Sequence, residues 1–150
     1  MRTFNGIEEL QGAVGTHLGH SEWHTVDQKQ IDLFADATGD HQWIHVDAEK
    51  AEAGPFGTTV AHGFLTLSLL PMLAAQVYRL EGVKMGVNYG ANKLRFPSPV
   101  PVESRVRAGV ELLAVTPSSL GYQVATRVTI ERDGGDKPAC VVESLAVVVP

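Results

Sequence analysis

The sequence predicts an α+β fold in which an antiparallel sheet wraps around one buried helix. Three observations carry this prediction. Residues 64–80 are apolar on nearly every side of a helix, and a helix without a polar face has to be buried. After Glu81-Gly82 the apolar spacing switches to alternation, the period of a strand. That alternation then continues through four long runs in succession, separated by turn residues.

The elements follow in order. Residues 6–15 can form a short amphipathic helix, weakened by Gly12 and Gly15, and a short strand is expected over 19–25. Asp27 followed by Gln30 resembles a capping box, behind which Ile31, Phe34, Ala35 and Thr38 recur at helical spacing. Gly39 suits the left-handed position just past a helix end. Asp40 then starts a loop expected to run to the Gly54-Pro55-Phe56-Gly57 turn. The helix over 64–80 is interrupted by Thr66, Ser68, Pro71, Gln76 and Arg79, which suits a core helix bent at Pro71 better than a membrane span.

In the strand region Val83, Met85, Val87, Tyr89 and Ala91 share one parity, whereas Leu94 and Phe96 take the other. The slip beside Gly90 predicts a β-bulge. Residues 102–114 alternate cleanly, and Leu120, Tyr122, Val124, Val128 and Ile130 continue the pattern after a turn at Pro117-Ser118-Ser119. Asp133-Gly134-Gly135-Asp136 marks a hairpin. Cys140 to Val149 is apolar on both parities, as expected of a strand covered on both faces.

At 150 residues, with no repeat or linker, the chain is expected to form one domain over 1–150. Hydrophobic residues at 44% and charged residues at 19% exclude a disordered composition. A net charge of −5 speaks against nucleic acid as a partner. Cys140 is the single cysteine and the first residues lack an apolar signal core, so a cytoplasmic protein away from the membrane is expected.

Asp40 and His45 bracket the loop before the core helix. A carboxylate and an imidazole held together can share general acid–base work. Taken singly, Asp40 reads more readily as a plain loop residue and His45 as a packed or solvated histidine. Ala61-His62-Gly63 precedes the core helix, whose first N–H groups lack partners and could stabilise developing negative charge. Gly63 could equally relieve crowding there, and His62 reads as structural.

Together these segments resemble the MaoC-type (R)-specific enoyl-CoA hydratases, whose fold is the hot-dog fold. The matching elements are Gly39-Asp40, Ile44-His45, Asp47, Ala51, Phe56-Gly57 and Ala61-His62-Gly63, with Asn88 to Phe96 resembling a stretch of bacterial single-domain members. In detail the likeness covers about residues 30–70. It implies that a water between Asp40 and His45 attacks C3 of a trans-2-enoyl-CoA while the Gly63 N–H polarises the thioester carbonyl. The product would be a (3R)-hydroxyacyl thioester. No metal or redox cofactor is implied, since a conjugated carbonyl is electrophilic once its oxygen is stabilised. The chain departs from the family's frequent Asn-Pro with Gln42-Trp43, so loop shape and acyl selection are expected to differ. Trp43, Asn88, Tyr89, Asn92, Lys93 and Arg95 are candidate substrate contacts, with Lys84, Arg105 and Arg107 as further cations for CoA phosphates. The same cations read more readily as solvated residues of an outer sheet face. The resemblance also implies a homodimer joined edge to edge. Alternatives on this scaffold are a 3-hydroxyacyl-ACP dehydratase, an acyl-CoA thioesterase and a non-catalytic acyl-CoA-binding subunit.

Overall fold

The computed structural model describes residues 1–150. In chain order the elements are β1 (Arg2–Asn5), α1 (Ile7–Gly12), β2 (His17–His20), β3 (His24–Val26), α2 (Gln28–Thr38), α3 (Trp43–Val46), α4 (Ala48–Glu52), α5 (Gly63–Ser68) and α6 (Leu70–Ala74). The chain continues with β4 (Tyr78–Glu81), β5 (Met85–Arg95), β6 (Ser104–Ser118), β7 (Gly121–Arg132) and β8 (Cys140–Val149). No helix is long and apolar enough to cross a membrane.

The alternating runs form an antiparallel sheet in the order β2-β6-β7-β8-β5, with β3 also paired to β6. Period two puts Val106, Ala108, Val110 and Leu112 of β6 in the core together with Val128 and Ile130 of β7. On the opposite face Arg105 pairs with Asp133, Arg107 with Glu131, and Arg127 with Glu111. The Arg105 and Arg107 guanidiniums also lie over the Trp23 ring, at 5.5 and 4.6 Å. Exposed pairs of this kind contribute about 0.2–1 kcal/mol each, so the apolar face holds the sheet in place.

Several expectations are corrected. The helix over 64–80 is two short helices, α5 and α6, joined at Leu69, and residues 78–81 leave as β4 to pair in parallel with β1. Proline at position 71 has no N–H to continue the ladder, and the N-terminal strand offers Tyr78 to Glu81 a new set of backbone partners. Leu65, Leu69, Leu73 and Val77, four apart, form the buried stripe. The other side is open: Phe64 is 64% exposed and Met72 41%. β8 likewise buries Cys140 and Val142 against the core, while its second face is only half covered. The strand expected over 19–25 is split at Ser21, whose hydroxyl accepts the Ala108 N–H at 2.9 Å. The turn after β6 lies one step later than expected, at Ser119 and Leu120.

Other local readings hold. The Asp27 carboxylate caps α2 by accepting the Gln30 N–H at 2.9 Å, although the Gln30 amide oxygen bonds His24 rather than closing the box. Gly39 ends α2 at φ 80°, a left-handed conformation that costs other residues a Cβ clash. The register of β5 against β8 slips between Asn88 and Gly90, the expected bulge, and again between Asn92 and Arg95, where Lys93 has φ 52°.

Leu73 is fully buried at the centre of the stripe. Leu73→Ala is expected to cost about 2–5 kcal/mol through lost transfer energy and the cavity left behind; urea unfolding with an unchanged slope would measure it.

Candidate active site

The site is assembled from three stretches of chain. The first leaves α2 at Gly39 and turns through Asp40, whose Oδ1 accepts the Gln42 N–H at 3.3 Å. The expected irregular loop then proves to hold two short helices, α3 and α4. Asp47 caps the second by accepting the Lys50 N–H at 3.0 Å, which gives that motif carboxylate a structural task. The second stretch, Thr59 to Ala61, runs extended beside residues 100–102. The Ala61 N–H donates to the Val100 carbonyl at 2.8 Å and the Val102 N–H to the Thr59 carbonyl at 3.0 Å. The third is the start of α5 at Gly63.

His45 is buried on α3, and its Nδ1 lies 2.7 Å from the Val60 carbonyl. A carbonyl only accepts, so Nδ1 carries the hydrogen and Nε2 is left with a lone pair. The main chain of His45 is also held: the Gln28 amide donates to its carbonyl at 2.8 Å, and the Thr59 hydroxyl donates to the Gln28 Oε1 at 2.6 Å. His62 arrives just ahead of α5, buried, with Nε2 donating to the Asp40 main-chain carbonyl at 3.0 Å. Its ring stacks on His45 at 3.8 Å between centroids and 24° between planes. Donor atoms of Asp40, His45 and His62 all lie within 4.8 Å of one another.

Three such donors invite comparison with a metal site. The two imidazole rings, however, are nearly parallel and 3.8 Å apart, so an ion in one ring plane and close to its nitrogen lies well out of the other plane. One ion cannot then lie in both ring planes, and acid–base chemistry suits the arrangement better. Burial, the largest influence, pushes the His45 pKa below its usual 6.5. The neighbouring His62 acts the same way, against the Val60 carbonyl and the Asp40 charge. A neutral imidazole with a free Nε2 can take a proton at physiological pH.

A cavity of about 370 Å³ opens beside the pair, lined by His45, Ile44, Phe56, Gly63, Thr66 and Phe96 among others. Space around Gly63 is tight. A Cβ there would stand 3.0 Å from the Phe96 ring. Its N–H, at the first position of α5, has no partner within the helix. A second cavity of about 510 Å³ lies between the open side of α5 and α6 and strands β5 and β8.

The structure thus brings Asp40 and His45 together and sets His45 and Gly63 on the wall of one cavity, which Asp40 does not line. Asn88 and Tyr89 line the second cavity instead. Trp43, Asn92, Lys93 and Arg95 line neither. The Trp43 ring packs on Gly54 under the Lys50 ammonium, 4.9 Å from its centroid. Lys93 lies 3.6 Å from Glu143, and the Arg95 guanidinium donates to the Leu94 carbonyl. Arg105 and Arg107 are occupied on the outer face by their ion pairs. Gln28 and Thr59 had no signal in the sequence, because their roles arise across 31 residues of separation. His62 had one, its adjacency to Gly63.

A depressed histidine has a definite effect on stability. The unfolded chain takes up the proton first, near pH 6.5, so stability contributed by neutral His45 is present above that pH. It declines as the pH falls from there toward the folded midpoint. NMR titration of the His45 ring is expected to give a midpoint below 6.5; a midpoint at or above it would contradict this burial argument.

Comparison with known proteins agrees with the geometry. A model of the MaoC like domain matches residues 9–133. The chain is 56% identical over 146 residues to 3-hydroxyacyl-thioester dehydratase Z of Mycobacterium tuberculosis, spanning 97% of each. It is 43% identical over 145 residues to nodulation protein N of Rhizobium leguminosarum bv. viciae, covering 95% of this chain and 90% of that one. Among solved structures, the unliganded R-hydratase PhaJ1 of Pseudomonas aeruginosa superposes with a TM-score of 0.74 at 24% identity, covering 91% of this chain and 81% of that one. The chain belongs to the MaoC-like hydratase and dehydratase family, built on the hot-dog fold.

Proposed function

We propose that the chain is an (R)-specific 2-enoyl-CoA hydratase, adding water across trans-2-enoyl thioesters to give (3R)-hydroxyacyl thioesters. The observation that carries this reading is the neutral His45, its Nε2 free beside Asp40, on the wall of a cavity that Gly63 also lines. With the thioester carbonyl against the Gly63 N–H, electron density is drawn from C3 toward the oxygen. A water between Asp40 and His45 loses one proton to the pair as its oxygen bonds to C3. The enolate formed collects a proton at C2, so one water is consumed and none of its atoms is left over. No metal or redox group enters this reaction.

The same groups serve the reverse direction, because forward and reverse steps share one transition state. The name of the mycobacterial relative favours that second reading, dehydration of a 3-hydroxyacyl thioester, with either CoA or acyl carrier protein as carrier. A cytoplasmic setting goes with either, since Cys140 is the one cysteine and is buried.

A homodimer is part of the proposal. β5 is an 11-residue edge strand, exposed along nearly its whole length, with Met85, Val87 and Tyr89 open. An edge of that length is a template for another strand, and a second copy of the same edge would close it.

Asp40→Asn and His45→Gln are each expected to lower kcat on crotonyl-CoA by about 10²–10⁴-fold, the range for general acid–base groups. Wild-type rates in both would sink the assignment, and release of free thiol in place of hydration would turn it toward a thioesterase. Light scattering is expected to show a dimer that Val87→Lys weakens; a monomeric wild type at micromolar concentration would remove the edge-pairing claim.

A further inference from the structure

We infer that His62 is the positioning residue that registers Asp40 and His45 against each other. The inference rests on the reading of those two as the catalytic pair, and it assigns His62 a task beyond filling the head of α5.

One ring makes two attachments. Its Nε2–H holds the Asp40 main-chain carbonyl at 3.0 Å, just where the left-handed turn at Gly39 releases the chain from α2. Its face lies on the His45 ring at 3.8 Å. Phe34 closes against His62 as well, with centroids 4.9 Å apart. His45 therefore cannot swing without leaving the stack, and its Nδ1–H stays on Val60. The exposed Asp40 has no such packing of its own; its place relative to His45 is passed through His62.

The remaining nitrogen supports the assignment. Nδ1 of His62 is buried with no hydrogen-bond partner, and His62 is 2% exposed. A residue kept for packing alone would avoid an unsatisfied buried polar atom. A histidine is understandable if the Nε2 donor and the flat ring are both needed. The titratable groups facing His45 are Asp40 from the loop and His62 from the head of α5; the other residues of α3, Trp43, Ile44 and Val46, carry none.

Two substitutions separate the attachments. His62→Phe keeps a ring for the stack and loses the donor, whereas His62→Gln places an amide N–H near the donor position and loses the ring. With folding verified by circular dichroism, His62→Phe is expected to lower kcat on crotonyl-CoA about 10²-fold with KM little changed, as misplacement of catalytic groups does. His62→Gln should recover part of that loss. In both variants the His45 titration followed by NMR should move upward, because a neighbour that lowers it is gone. Near-wild-type kcat in both folded variants, or an unmoved His45 titration, would overturn the inference. If His62→Phe does not fold, His62→Gln carries both readouts. If the wild type hydrates no thioester, the hydratase reading falls, while an unmoved His45 titration in the variants still overturns the contact between the two rings.

Discussion

The site depends on the hydrogen bond between His45 Nδ1 and the Val60 carbonyl. It fixes the tautomer of the histidine and leaves Nε2 as an acceptor. It also ties the α3 segment to the stretch that leads into α5. That stretch is itself pinned, through Thr59 and Ala61, to residues 100–102, so the sheet-side chain sets the height at which the imidazole sits. The placement of His45 is in this sense an extension of the backbone hydrogen-bond pattern, with Gln28 bridging Thr59 and His45 from α2.

The division of labour across the molecule follows from burial. On the inner face of the sheet, β-branched and aliphatic side chains meet the Leu65, Leu69, Leu73 and Val77 stripe, and loss of their contact with water provides the dominant stabilisation. The outer face carries arginine–carboxylate pairs that are half exposed and individually weak. Between these two regimes lies the site, where two buried histidines cost desolvation and are compensated by carbonyl partners and by each other. The exposed sides of α5 and α6, with the bare β5 edge, form a third kind of surface, apolar but unsatisfied within one chain. The second cavity opens there.

Much of the site was legible in the sequence because it is local. Gly39 and Asp40, His45, and the His62-Gly63 pair sit at the ends of helices, where turn chemistry and unpaired N–H groups follow from residue type. The bulge beside Gly90 was legible for the same reason, as a change of parity. The candidate ligand contacts were not. Whether Trp43 faces the cavity or Gly54 depends on the rotation of a one-turn helix. Whether Arg105 and Arg107 are free depends on the carboxylates opposite them in β7 and the turn after it.

By itself, the sequence determined the fold class, the position of the four long strands and of the bulge beside Gly90, the cap of α2, and the residues able to do acid–base work, because each is set by periodicity or by short-range backbone chemistry. The tertiary structure alone decided that α6 stops at Ala74 and that Tyr78 to Glu81 joins β1. It also decided that His62 lies flat on His45 and that Gly63 lines the same cavity as His45. Those outcomes depend on pairing between segments far apart in the chain, and local side-chain patterns carry no record of which distant carbonyl or ring will be the partner.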